Sequence, residues 1–235
     1  MRGALVTRPL ADSRDLAEAL KSRGFDPLIE PMLTIRYRDE TPPGHEYQGV
    51  LATSANGVRA LARLVAWRDL PVWAVGDASA REARELGFVT VESAGGDVTT
   101  LADLVAKRAD PSIGPLLHVA ASRLAGDLGN ALKSRGFTVE KAVLYDAEPA
   151  ADFSPALLEA LASQHLSAAL FFSPRTAATF VRLAANRALG DSLRSIEAFA
   201  LSRAVAEELA PLPWRGVAVA ERPDQAALLA LLAKE

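Results

Sequence analysis

An α/β fold made of two similar open parallel sheets is predicted for this 235-residue chain, and three observations predict it. The hexapeptide LKSRGF stands at residues 20–25 and again at 132–137. Short apolar runs alternate with helix-period stretches along the whole length, which is the pattern of parallel strands buried on both faces by helices. Half of the residues are hydrophobic and 23% are charged, which is enough apolar material for real cores and carries no signature of disorder. With an internal repeat, the length suits two domains better than one.

The elements follow in order. GALVTRPLADSRDLAEALKSRGF (3–25) and GPLLHVAASRLAGDLGNALKSRGF (114–137) each read as strand, turn and helix. Leu16, Ala19 and Leu20 fall on one helical face, as Leu128 and Leu132 do in the second copy, and Gly24 and Gly136 sit where a left-handed C-terminal cap is expected. VLATSANGVRALARL (50–64) parallels ALFFSPRTAATFVRL (169–183), and VWAVGDASAREARELG (72–87) parallels AFALSRAVAEELAPL (198–212). VTVESAGGDVTTLADLVAK (89–107) parallels VAVAERPDQAALLALLAK (217–234). Four strand–helix units are therefore followed by the same four, and each set is expected to form a doubly wound, flavodoxin-like sheet.

Two segments break the rhythm. DPLIEPMLTIRYRDE (26–40) and TVEKAVLYDAEPAAD (138–152) follow the two LKSRGF copies and are too long for one ordinary strand. A strand that runs beyond its sheet and crosses to the other domain would explain the length, and would pack the first unit with the last three. Simple tandem domains with loose linkers fit the periodicity equally well.

Composition removes several classes of chemistry. The chain has no cysteine, so disulfides, thiolate nucleophiles and cysteine-ligated metals are excluded. No apolar stretch approaches the roughly 18 residues of a membrane span, and nothing resembles a secretory leader, so a soluble, cytoplasmic protein is expected. A net charge of −3 argues against bulk nucleic-acid binding. There is no G-x-G-x-x-G after the first strand and no Gly-rich phosphate loop ending in Lys, so no cofactor is indicated. His45, His118 and His165 are scattered, with His118 inside an apolar run as an interior residue, and neither a catalytic triad nor a metal-ligand cluster can be built.

Ligands of a doubly wound sheet bind beyond the carboxyl ends of its strands. The turns there read Thr7-Arg8-Pro9, Thr53-Ser54-Ala55-Asn56-Gly57, Gly76-Asp77-Ala78-Ser79, Ala121-Ser122-Arg123, Ser173-Pro174-Arg175-Thr176 and Ser202-Arg203. Hydroxyls at a helix start are ordinary caps when taken singly. Six such turns in two similar domains, with exposed N–H groups and arginines beside them, point to an anionic ligand. Arg8 and Arg175 are candidate ligands of that anion. Read from sequence alone, Tyr145 is a partly buried strand tyrosine.

Together these motifs resemble the uroporphyrinogen-III synthase family: VTRP at the start, LATSANGVRAL, VGDASA, AVLYDAE and FFSPRTAATF. Each is weak alone, whereas their order and spacing are specific. The resemblance implies the swapped arrangement, with residues 1–36 and 150–235 in one domain, 37–149 in the other, a two-strand connector and a ligand cleft between them. It implies closure of hydroxymethylbilane, a linear tetrapyrrole with eight carboxylates, to uroporphyrinogen III with inversion of the last ring and loss of water, by a hydro-lyase that uses no metal or organic cofactor. It implies substrate contacts at Thr53, Ser54, Asn56, Ser79 and Ser173, and makes Tyr145 the candidate proton donor. Ser202 is added as a substrate ligand, although FALSRAVAEEL has Ala204 and Val205 where the family carries threonine. The expected partner is this small molecule, with no nucleic acid, no membrane and a monomeric chain. The rival reading is a non-catalytic two-domain binder of a small anion.

Overall fold

The computed structural model describes residues 2–42, 44, 46–122 and 127–232, so that His45 and Arg123 lie outside the described residues. The first half contains β1 (Arg2–Val6), a 3-10 turn (Leu10–Asp12), α1 (Arg14–Lys21), β2 (Phe25–Ile29), β3 (Leu33–Tyr37), β4 (Gly49–Ala52), α2 (Ala55–Leu64), β5 (Val72–Ala74), α3 (Asp77–Glu85), β6 (Val91–Ser93) and α4 (Val98–Arg108). The second half contains β7 (Leu116–Ala121), α5 (Leu128–Lys133), β8 (Val139–Pro149), α6 (Pro155–Ala162), β9 (Leu166–Phe171), α7 (Pro174–Asn186), α8 (Gly190–Leu193), β10 (Glu197–Ala200), α9 (Arg203–Leu209), β11 (Gly216–Val219) and α10 (Gln225–Leu231).

The chain divides into two compact units, Met1–Thr34 with Glu148–Glu235, and Ile35–Ala147. In the first unit the strand order is β2-β1-β9-β10-β11, all parallel. Side chains alternate between two cores along each central strand: Leu5, Ala169 and Phe171 join one, while Ala4, Val6, Ala168 and Leu170 join the other. Helix α1 covers the second face with Leu16 and Leu20, both fully buried, and burial of each leucine is worth roughly 2–3 kcal/mol. Gly24 then ends the helix at φ +81°, a left-handed backbone that a side chain would strain, and Gly136 does the same at +86° after α5.

The second unit has the order β3-β8-β7-β4-β5-β6, and β8 through β6 are parallel. Leaving out the edge strand β3, the order is that of the first unit with β7 and β8 in the places of β1 and β2. Its cores again lie on both faces, with Val50, Ala52, Leu117 and Val119 on one and Leu51, Leu116, Leu128 and Leu132 on the other.

The two overlong segments behave differently. Residues 139–149 form the single strand β8. Residues 26–40 do not form one strand. The pairing with β1 continues through Glu30 N–H to Val6 O and Met32 N–H to Thr7 O, and Pro31 between them has no N–H to give. The chain restarts as β3 beside β8. Hydrogen bonds from Ala150 N–H to Met32 O and from Arg38 N–H to Leu144 O progress in opposite directions along the two segments, so this pair is antiparallel. Helix α6 lies outside the repeated units. Its sequence signal is Ser154 as cap, Pro155 in the first turn, and Leu157 and Leu161 four apart.

Candidate functional site

In the second unit the connection after β7 runs through α5 to β8 on one side, while that after β4 runs through α2 to β5 on the other. The crevice between the carboxyl ends of β7 and β4 is therefore the point where a doubly wound sheet takes ligands. Thr53, Ser54 and Asn56 stand there, on the turn from β4 into α2. Ser54 is the N-cap of α2, and its Oγ accepts from Asn56 N–H at 3.1 Å. Gly57 lets the helix start lie close to β7, because a Cβ at this position would stand 3.0 Å from Val119 O. The Asn56 side chain is only 6% exposed, and its Oδ1 accepts from Arg59 Nη1 at 3.1 Å.

His118 lies on β7 opposite Leu51 and is 3% exposed, the interior residue that its apolar run predicts. Its Nε2 stands 3.4 Å from Thr53 Oγ1, a long contact across the crevice. Burial, aided by the positive charge of the cross-strand neighbour Lys141, pushes the imidazole down to about 4, so it is neutral at pH 7. Ser79 lies in the first turn of α3, buried, after the N-cap Gly76, which offers no side-chain cap.

Tyr145 is on β8 with β7 between it and β4. It pairs with Ala121 where the register shifts, and its carbonyl accepts from Ser122 N–H at 3.1 Å. Only 6% of the residue is exposed, and the ring packs in a core that also holds Leu144 and Tyr47. The next residue, Asp146, accepts a two-pronged bond from Arg38 at 2.8 and 3.0 Å. That bond, with a second from the Ser122 hydroxyl, holds the Asp146 carboxyl down to about 2.

The first unit has the equivalent crevice between β1 and β9. Arg8 follows β1, and its guanidinium carbon lies 4.5 Å from the ring centre of Phe172, the residue after β9. Arg8 Nη1 donates to Gln225 Oε1 at 2.9 Å, from the first residue of α10. Ser173 caps α7 by accepting from Thr176 N–H at 3.2 Å, and its Oγ lies 2.7 Å from Thr176 Oγ1. Arg175 is in the first turn of α7 and half-buried. Ser202 precedes α9 and makes no side-chain cap bond, and Arg203 beside it is exposed. Val205, at the position of the missing threonine, is buried in the core.

The fold thus gathers Thr53, Ser54 and Asn56 on one turn, with Ser79 one strand away and Tyr145 two strands away on the other side. It gathers Arg8, Ser173, Arg175 and Ser202 at the ends of three neighbouring strands of the other sheet. Arg59, three residues after Asn56 on α2, escaped the sequence reading although that spacing makes helical neighbours. Glu82, Phe172 and Gln225 also escaped it, and they meet their partners only through the tertiary fold. His165 is remote, with Nε2 3.3 Å from Asp26 Oδ2. Among the described residues no cluster of three or more His, Asp or Glu side chains is placed to hold a metal ion, and no helix is long and apolar enough to cross a membrane.

A family model described as HEM4, Uroporphyrinogen-III synthase HemD, matches residues 14–230 of the chain. No curated protein sequence matches. Among solved structures, a uroporphyrinogen-III synthetase from Helicobacter pylori 26695 matches with a TM-score of 0.63 at 17% identity, covering 99% of each chain. A mutant uroporphyrinogen III synthase from the extremely thermophilic bacterium Thermus thermophilus matches with a TM-score of 0.57 at 21% identity over 100% of both chains. These structural likenesses carry the α/β fold with parallel sheets.

Proposed function

The chain belongs to the uroporphyrinogen-III synthase family, an enzyme family of tetrapyrrole synthesis, and from that premise we propose the step it performs and the residues that perform it. It closes hydroxymethylbilane to uroporphyrinogen III with inversion of ring D, and as a hydro-lyase it releases one water. The family match over residues 14–230 is the observation that carries this reading.

A proton delivered to the hydroxymethyl oxygen lets water leave, and the pyrrole nitrogen supplies the electron pair that makes the terminal carbon a cationic azafulvene. The substituted carbon of ring D attacks that carbon and forms a spiro intermediate, whose rearrangement inverts the ring. The substrate supplies the electrophile and the nucleophile itself. The protein's share is to hold a flexible chain with many carboxylates in the one pose that brings the two carbons together. Thr53, Ser54, Asn56 and Ser79 on one unit, and Arg8, Ser173, Arg175 and Ser202 on the other, are taken as the donors for those carboxylates. Their positions at strand ends and helix starts, where backbone N–H groups and the helix dipole favour negative charge, support that assignment. Tyr145 is taken as the general acid. The protein is read as a cytoplasmic monomer.

Incubation of the purified protein with freshly generated hydroxymethylbilane, followed by separation of the oxidised porphyrin isomers, tests the reading. Enzyme-dependent formation of the III isomer is expected. Formation of only the non-inverted isomer, at the rate seen without protein, would overturn it in favour of the anion binder.

A further inference from the structure

Asn56 is an amide, and an amide at a carboxylate-binding turn is useful only if its nitrogen, not its oxygen, faces the ligand. The structure contains a device that enforces this. Arg59 has donors and no acceptor, so the atom of Asn56 that meets Arg59 Nη1 at 3.1 Å must be Oδ1. Arg59 is itself held by Glu82 on the neighbouring helix α3, with Nη2 to Oε2 at 2.5 Å and both side chains 17% exposed. The amide oxygen is thereby committed inward and the NH2 group turned away from Arg59. Among the described residues nothing accepts from Nδ2, although the residue as a whole is only 6% exposed. That nitrogen is reachable from solvent, because no fully buried side-chain N or O among the described residues lacks a partner. It stands on the first turn of the ten-residue helix α2, at the carboxyl end of β4, where the crevice opens.

We propose that Glu82 and Arg59 are positioning residues that lock the Asn56 amide in one orientation, so that this subsite presents only donors and accepts a carboxylate of the substrate. This inference rests on the reading of the chain as a synthase of a polycarboxylate tetrapyrrole. The lock explains a feature that capping does not. Ser54 already serves the α2 amide of Asn56, so the Asn56 side chain and its arginine are not needed to cap the start of the helix. With Arg59 removed, the amide can turn over, and half of its orientations then point an oxygen lone pair at a carboxylate.

The test is steady-state kinetics on hydroxymethylbilane with three variants, each accompanied by its thermal unfolding midpoint. R59M keeps the bulk of the side chain and removes its donors, and is expected to raise KM about 10-fold while kcat stays within about two-fold, the size of one lost charge-assisted hydrogen bond. R59K keeps a donor near Oδ1 and is expected to recover most of that KM. N56D is the decisive variant, because a carboxylate still accepts from Arg59 and suits a helix start, so the fold survives. It nevertheless offers no donor and repels a carboxylate, so its KM is expected to rise about 100-fold without a lower unfolding midpoint. An N56D enzyme with wild-type KM overturns the proposal. So does a series in which R59M and R59K lose affinity and unfolding midpoint in parallel, which is the behaviour of an ordinary interhelical ion pair. Wild-type protein that fails to make the III isomer would instead overturn the functional reading itself, so the two failures are distinguishable.

Discussion

Tyr145 and His118 show how far single residues can be read. Both sit on neighbouring strands and both are buried, yet only their chemistry separates their roles. His118 is held neutral at pH 7, so it offers no imidazolium to act as an acid beside Thr53. Tyr145 is the remaining donor proposed for the leaving hydroxyl. Replacing it by Phe keeps the ring in its core and removes only the hydroxyl, so turnover is expected to fall about 10²–10⁴-fold with the unfolding midpoint little changed. Near-normal turnover with the III isomer would reduce Tyr145 to a core residue. His118 makes a separate prediction about stability. Its folded value of about 4 lies below its ordinary 6.5, so the unfolded chain binds the extra proton first as the pH falls. The contribution is fully present above pH 6.5 and is lost as the pH drops towards 4, on the order of 3 kcal/mol at most. Asp146, whose carboxyl is held down to about 2, keeps its contribution above its ordinary 3.8 and loses it only as the pH falls below about 5, so the upper part of the window reports His118. Denaturant midpoints measured between about pH 7 and 5 should fall in the wild type, and the slope there should flatten in His118→Gln. The interior place of His118 was legible from the apolar run LLHVA, whereas the Arg59–Asn56 contact went unread although its three-residue spacing makes helical neighbours. Glu82 was not legible, because it reaches Arg59 from another helix.

Helix α6 and the break in the first crossing segment belong together at the scale of elements. Glu30, 7% exposed, ends the pairing of β2 with β1 and turns its carboxylate onto the start of α6. It accepts from Ser154 N–H at 2.7 Å and from Ser154 Oγ at 2.6 Å, while Ser154 Oγ in turn caps Leu157 N–H. A helix start is thus tied to a strand 124 residues earlier in the chain. Glu30→Ala leaves both donors of the half-buried Ser154 without their charged acceptor and is expected to lower unfolding stability by about 2 kcal/mol. Glu30→Gln keeps one good acceptor and should lose less. A denaturant titration of the three proteins decides it, and equal midpoints for wild type and Glu30→Ala would show that the tie contributes nothing. The length of the extended run 26–40, which suggested one strand crossing between domains, concealed the break here. Pro31 announced it, but a proline in an extended run is also compatible with an edge strand.

At the scale of the molecule the two units differ in how they are cut from the chain. The second is contiguous, Ile35–Ala147, with cores on both faces of its sheet. The first is assembled from two pieces, and the sheet neighbours β1 and β9 come from opposite ends of the sequence. A fragment of residues 35–147 is therefore expected to unfold cooperatively on its own, at a midpoint within about 15 °C of the parent. A fragment of residues 148–235 lacks β1, β2 and α1, exposing the edge of β9 and the core face that Leu16 and Leu20 cover, and should gain native circular dichroism only when residues 1–34 are added. A cooperatively folded 148–235 fragment would contradict this account.

The sequence by itself determined the strand–helix units, their duplication, the left-handed glycine caps at Gly24 and Gly136, and the turns at which polar groups gather, because each depends on residues within one helical turn or one strand of each other. Tertiary structure alone decided which strands became neighbours. Periodicity specifies that a strand is buried on both faces but not by what, so tandem and exchanged pairings were equally compatible with the pattern until β1 was seen beside β9 and β7 beside β4. The same holds at the sites. Ser54 and Ser173 cap their own helices through local bonds that a short stretch of chain encodes. The contacts of Arg8 with Phe172 and Gln225, and of Arg59 with Glu82, exist only because separate units of the chain were brought to the same end of a sheet, and no local rule links residues 217 or even 23 positions apart.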